Sequence, residues 1–548
     1  MLLSLLASAA LTQGPGTPLT AHVDDPLSHG TVGDALLSLD EAIRVANGTL
    51  PMASLSAGEM ARFTGSGMGV TSILFDAAVT PTITVQAPLT DVVGPGMMVG
   101  RLTIEGVGAN RPVLQATSQV RVFALRSSLV TLRGLRVTGG QVGVFAQMMA
   151  MTMPMPDMAM VMECELDGQT TSAVQLQGMG TDMSMLMVRD TAITNQPLGF
   201  RIDDQTTVNG QVMLECEHLT LDGVTLGADL QEDGSGGLSM AMFFRSSFTN
   251  GQTLARQRRA AASTQQFMWR FVFTDATCSG NVLDIEGAPN GLTMIHHHHG
   301  DFRAGVGAKA FWTWPRTAEF DIHGSEMSFD GDVSIACNLA TMRVWQQNNH
   351  YQNGTLTYDV DGALPNLLWN RYENCTIDVP TTARSPVAVR QSQLVNTTVQ
   401  SASLLAPIDL QGCWRSGGAL SGYASETNAA PAPFLGTTTI TPKNPQVGTT
   451  VTLATDLPYG VGLIWDIAVS IPRPTTTAEP VRFYGDPATV MILPAFVIFQ
   501  SQLVVPLPNI PALVDYEFYV QGISLPLLGQ SWVPAYHLPR GSLLQLRP

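Results

Sequence analysis

From residue 158 to residue 379 apolar and polar residues alternate along short stretches, the period of a β-strand with one face buried. The stretches recur about every 26 residues, the scale of one turn of a solenoid. Nine of them align without gaps on an apolar or aromatic anchor: Leu166, Ile193, Leu221, Phe248, Cys278, Phe302, Phe329, Tyr351 and Ile377. Three positions before each anchor stands a polar residue: Glu163, Asp190, His218, Arg245, Asp275, His299, Glu326, Asn348 and Asn374. Two positions after it stands mainly Gly or Asn, as in Gly168, Asn195, Gly223, Asn250 and Asn353, residues that tolerate the left-handed conformation of a sharp corner. The positions seven and five before the anchor are mostly apolar (Leu186 and Val188, Leu214 and Cys216, Ala241 and Phe243) and are expected to face a core.

Strands at this spacing, with no helical periodicity between them, predict parallel stacking of one turn on the next. The predicted fold is all-β: a right-handed parallel β-helix of about twelve turns. Its boundaries read as a cap region at 20–100, the β-helix at 101–415, a Gly/Ser/Ala/Pro-rich linker at 416–433, and a compact antiparallel β-sandwich at 434–548. Residues 36–48 form an amphipathic helix ahead of the repeats, with Leu36, Leu39, Ile43 and Ala46 on one face and Gly48 as its stop.

That helix carries Ser38-Leu39, then Asp40, then Glu41-Ala42-Ile43 and Ala46-Asn47. The segment resembles the SLREAI-x-x-AN motif at the N-terminus of secreted bacterial parallel β-helix proteins of the pectate-lyase-like superfold, with Asp40 where the motif has Arg. The resemblance covers some 30 residues and implies a helix capping the β-helix and an exported chain; it implies no activity. Residues 1–10, with an apolar run and an Ala-x-Ala step at Ala7–Ala9, read as a secretory signal that lacks a basic start. The expected location is therefore secreted or cell-surface, and no other stretch is apolar for long enough to predict a membrane span.

Composition narrows the function classes. Only 13% of residues are charged, the formal net charge is -16, and Lys309 and Lys443 are the only lysines, which excludes a nucleic-acid partner on charge grounds. The run Arg256-Gln257-Arg258-Arg259 reads as a solvated loop. The six cysteines show no C-x-x-C spacing and read as small core residues.

The outward side of the aligned strands holds the candidate chemistry. Early turns carry a methionine stripe, including Met185, Met187, Met213, Met240 and Met242; later turns carry Arg270, His296, Asp321, His323, Arg343, Trp345, Trp369 and Arg371. On the aligned register Trp345 and Trp369 occupy neighbouring turns and offer a platform for a sugar ring, while the arginines match uronate or sulfate groups. His296 and His298, alternating with inward His297, complete the substrate-binding set. His296, His298 and His323 also have the side chains to hold a transition metal, but a ladder of partly buried polar groups is the expected reading, so no metal and no cofactor are assigned. The M-x-M run within Met148–Met162 is expected to pack rather than to bind copper. The expected function is non-catalytic engagement of a polysaccharide or cell-surface glycan. A polysaccharide lyase or hydrolase using Asp321, His323 and Arg343 is one alternative; a structural or adhesive surface protein is the other.

Overall fold

The structure, a computed structural model, describes residues 18–67, 69–94, 101–108, 110–117, 119–148, 158–181, 183–207, 210–235, 237–260, 262–339, 344–362, 365–430, 438–442, 445–455, 461–466, 490–492, 502–507, 509–510, 517–524 and 542–545. The expected signal segment and Arg343 lie outside the described residues, as does most of the Met148–Met162 run. The chain divides into two units, 1–267 and 268–548. Each is built from right-handed parallel β-helix coils with three strands per coil.

In the first unit one ladder runs in parallel register through Leu19–Val23, Val70–Asp76, Leu102–Val107, Val130–Arg133, Ala159–Met162, Met183–Arg189, Gln211–Glu217 and Leu238–Phe244. The stacking thus starts well before residue 101, inside the stretch read as a cap region. The helix Leu39–Ala46 packs against the first two of these strands. Ser38 and Glu41 form a reciprocal capping box, with Glu41 Oε2 accepting from Ser38 N at 2.9 Å. Leu39, Ala42, Ile43 and Ala46 are buried, whereas Leu36 precedes the helix and is exposed.

The methionines stand in register, Met185 beside Met213 and Met213 beside Met240; Met213 and Met240 are half-buried and Met185 is buried. The basic run is not a loop. It ends the strand Thr253–Arg259, where Arg256 forks onto Asp229 (2.8 and 2.9 Å) and buried Arg259 pairs with Glu232. Asp229 and Glu232 of the coil before supply these carboxylates, so Arg256 on the outward face and Arg259 on the inward face are each paired rather than solvated.

In the second unit the first strands of successive coils are Gln266–Val272, Leu292–His298, Glu319–Ser325, Val344–Gln347, Asn366–Leu368, Val387–Arg390 and Ile408–Gln411. Each ends on a residue in the left-handed region: Phe273, His299, Glu326, Asn348, Trp369, Gln391 and Gly412. A non-glycine residue there is strained by roughly 1–2 kcal/mol, and several of these residues gain contacts that offset the strain. His299 Nδ1 pairs with Glu326 Oε2 at 2.8 Å and stacks on Phe273 (4.7 Å between centroids). Asn348 donates to Glu326 Oε1 at 3.1 Å, and Trp369 Nε1 to Gln391 Oε1 at 2.6 Å.

The turned corner leaves the next backbone N–H pointing along the stack, where a side chain of the following coil accepts it. Met327 N donates to Asn349 Oδ1 (2.9 Å), Asn349 N to Asn370 Oδ1 (2.9 Å), and Asn370 N to Ser392 Oγ (3.0 Å). Asn349, Asn370 and Ser392 are all fully buried, so this ladder satisfies backbone that water cannot reach. Beside it the anchor rings stack: Phe329 on Tyr351 at 5.2 Å and Tyr351 on Tyr372 at 5.1 Å, nearly parallel.

The true anchors depart from the sequence alignment at two places. Ala276 pairs with Phe302, so Ala276 and not Cys278 is the anchor of its coil. Tyr351 pairs with Tyr372, not with Ile377, which belongs to the third strand and pairs with Leu356. Between successive anchors the coils shorten from 27 residues (Phe302 to Phe329) to 22 and then 21 (Tyr372). A constant spacing therefore overruns the last turns.

The stretch 416–433 is not a linker throughout. Leu420–Gly422 pairs with Val399–Ser401, and Ala424–Thr427 with Ile408–Gln411, both in parallel. Its glycines serve close approach: a Cβ on Gly418 would meet Thr397 O at 2.0 Å. Beyond it lie two small antiparallel sheets. Thr450–Thr455 pairs with Thr438–Thr441 and Gln502–Pro506; Val461–Asp466 pairs with Val490–Ile492 and Glu517–Ser524. All six cysteines are buried free thiols.

Asn370→Ala removes the acceptor for Asn349 N and the donor to Gln346 O (2.9 Å). It is expected to cost about 2–3 kcal/mol in denaturant unfolding, against less than about 0.5 kcal/mol for Asn366→Ala on the outward face.

Candidate functional site

The outward face of the first strands in the second unit is set by the strict in-out alternation of each strand. Met294 and His296 pair with Asp321 and His323 on the next coil, His323 pairs with Trp345, and Trp345 pairs with Asn366. Arg270 stands three residues before its left-handed corner, as His296 does before its own, and its charge is felt at His296. Arg270, His296, Asp321, His323 and Trp345 thus form one partly exposed cluster across four coils.

Within it, His323 Nε2 lies 3.0 Å from Asp321 Oδ1. The two residues alternate around inward Ile322, so their side chains rise side by side from one strand. The His296 and His323 rings are 5.0 Å apart, and His323 and Trp345 are 5.8 Å apart. Burial, then the neighbouring His323, then Arg270 push the His296 imidazolium down to about 4, against the opposing pull of Asp321. His296 is thus a neutral imidazole at neutral pH. Its Nε2 is buried and makes no hydrogen bond among the described residues.

The four consecutive histidines have four different surroundings. His297 points inward between Phe311 and Phe329 (5.2 and 5.5 Å), with Gln346 Oε1 at 3.3 Å. Burial drives its imidazolium down to about 3. Gly324 on the next coil makes its room, since a Cβ there would sit 2.0 Å from His297 Nε2. His298 was expected outward with His296. It is buried instead, with Nδ1 at 2.6 Å from Ser325 Oγ, because the strand begins to turn there toward the corner at His299.

Two further expected site residues fall elsewhere, both through the misplaced Ile377 anchor. Trp369 is not beside Trp345. It is the corner residue of its coil, and its partner Gln391 lines a depression of about 430 Å³ with Leu368, Arg390 and Gln411. Arg371 lies on Arg371–Glu373 in the second sheet, paired with His350 and 3.4 Å from Glu373. The two-tryptophan platform is therefore absent from the described face.

A second outward feature escaped the sequence reading, which aligned the first strand and the anchor of each coil but not the third strand. On Lys309–Trp314 the rings of Trp312 and Trp314 lie 5.7 Å apart. Lys309 Nζ sits 4.3 Å above Trp312, and Trp314 Nε1 donates to Asp284 Oδ1 at 2.9 Å. The period-2 alternation of Lys309-Ala310-Phe311-Trp312-Thr313-Trp314 was the available signal.

No family model and no curated protein matches the chain. Among solved structures it is similar to the catalytic unit of a thermostable GH87 α-1,3-glucanase from Streptomyces thermodiastaticus strain HF3-3. The identity is 12%, over 75% of this chain and 69% of that one, with a TM-score of 0.22, a likeness too loose to support any argument about function.

The His296 environment gives a direct pH expectation. Its folded-state value lies below that of the unfolded chain, so its contribution to stability is full above about 6.5 and is lost as pH falls through about 4. NMR titration is expected to show His296 protonating near 4, and Arg270→Gln is expected to move that midpoint upward. A midpoint near 6.5 in the native protein would refute the described surroundings.

Proposed function

We propose that the chain is an exported, non-catalytic protein that binds an acidic polysaccharide along the outward face of Leu292–His298, Glu319–Ser325 and Val344–Gln347. The observation that carries this reading is the clustering of Arg270, His296, Asp321, His323 and Trp345 on one partly exposed strand face. An indole offers an apolar surface to the hydrogen-bearing face of a sugar ring. An arginine beside it pairs in fork geometry with a uronate carboxylate. A parallel stack also repeats its outward positions about every 4.8 Å, so a linear polymer lying across the coils meets several of them in succession. The proposal of export rests on residues 1–10 and on the cap-helix resemblance.

Binding is favoured over hydrolysis because, among the described residues, the cluster holds a single carboxylate, Asp321, and that carboxylate is engaged with His323 at 3.0 Å. Two-carboxylate hydrolysis needs a second acid on the same face. The same contact favours one second reading: a histidine oriented by a carboxylate, with an arginine nearby to hold a uronate, is the equipment for proton abstraction and β-elimination.

Equilibrium binding to a panel of uronate-containing and neutral oligosaccharides tests the proposal. Retention of the acidic members is expected to fall at least tenfold in Trp345→Ala and in Arg270→Gln, and to stay unchanged in Trp369→Ala. Loss in Trp369→Ala with none in Trp345→Ala would move the site to another face. New unsaturated chain ends, detected by ultraviolet absorbance and abolished in His323→Ala, would replace binding with cleavage.

A further inference from the structure

We propose that His296, Asp321 and His323 form a binding site for a divalent first-row transition metal, with Zn²⁺ as its probe, and that the site keeps an open coordination position. The inference stands on the geometry of these three side chains and does not rest on the glycan reading.

One donor atom from each residue lies within 4.8 Å of the other two. The three come from two adjacent strands in fixed register, His296 beside His323 and Asp321 two residues before His323. Asp321 Oδ1 and His323 Nε2 are already 3.0 Å apart. A point about 2.1 Å from both, the usual metal–ligand length, sees them at an angle near 90°. A cation would therefore fit between these two donor atoms with only a small opening toward tetrahedral geometry. His296 closes the set from the neighbouring coil by a side-chain rotation.

Two independent observations point the same way. Among the described residues His296 Nε2 is buried and has no hydrogen-bond partner, so one imidazole nitrogen at the cluster lacks the partner that a buried polar atom normally finds. The coils also fix the backbone from which both imidazoles rise: Ile295 and Ile322, the inward neighbours of His296 and His323, are fully buried. Two imidazoles and one carboxylate are the donor set of transition-metal sites rather than of calcium, which takes six to eight oxygens.

Three protein donors leave at least one coordination position for water or a small anion. Arg270, whose charge reaches His296, opposes the metal cation but favours an anionic oxygen in that open position. Removing Arg270 is expected to tighten Zn²⁺ binding and to weaken any anion held with the metal.

The experiment is calorimetric titration of the metal-free full chain with Zn²⁺ alone, supported by the visible spectrum of the Co²⁺ form. One equivalent is expected to bind. His296→Ala and His323→Ala are expected to weaken binding at least tenfold, and Arg270→Gln to strengthen it several-fold. If a histidine variant does not fold, Asp321→Asn, which keeps the side-chain shape, tests the same claim. Absence of saturable binding overturns the proposal. So does wild-type affinity in His323→Ala or Asp321→Asn, which would place the metal on other histidines.

Discussion

Everything in the second unit depends on the backbone leaving each first strand at an equivalent residue. Parallel ladders tolerate no slip: moving one coil by a single residue would exchange its inward and outward sides. The left-handed corner holds the register, from Phe273 and His299 through Glu326, Asn348, Trp369, Gln391 and Gly412. The strain of a non-glycine residue in that conformation is offset by interactions along the stack. Corner side chains pair with the corner of the next coil. The N–H that the corner turns out of the sheet is taken by Asn349, Asn370 or Ser392 from the coil that follows.

Once the register is fixed, residue identity becomes location. The run His296–His299 shows this most clearly. One histidine faces outward, one is clamped among aromatic rings with Gly324 cleared to admit it, one turns in toward Ser325, and one sits at the corner against Glu326. Their chemistry differs because their solvent differs. His297 and His298 are kept neutral by burial, whereas His296 is kept neutral at the edge of an exposed cluster by burial together with His323 and Arg270. A neutral imidazole beside a carboxylate-linked one is suited to a metal or to proton transfer, and the adjoining indole and guanidinium are suited to a sugar acid.

The sequence made the fold legible because alternation and corner chemistry repeat. The inward column and the Gly/Asn corners follow from residue types alone. The site was legible only where the aligned anchor is the true one. Arg270, His296, Asp321, His323 and Trp345 fall on one face, but Trp369 and Arg371 do not, because the coils shorten to 21 residues after Tyr351 and a constant spacing passes over Tyr372. Gly- and Ser-rich composition misled at 420–427, where small residues reflect tight stacking against Thr397 and Ser401 rather than chain flexibility. Trp312 and Trp314 were missed for a simpler reason: they belong to the third strand of the coil, which the alignment on the first strand and its anchor did not reach.

The central claim is that the outward face of the first strands in the second unit is where this chain meets its ligand. Hydrogen–deuterium exchange of the intact protein, with and without an acidic oligosaccharide that it binds, tests this claim most directly. The account predicts protection confined to peptides covering Leu292–His298, Glu319–Ser325 and Val344–Gln347. Protection centred on Lys309–Trp314, or on the corner that carries Trp369 and Gln391, with none on those three strands, would contradict it.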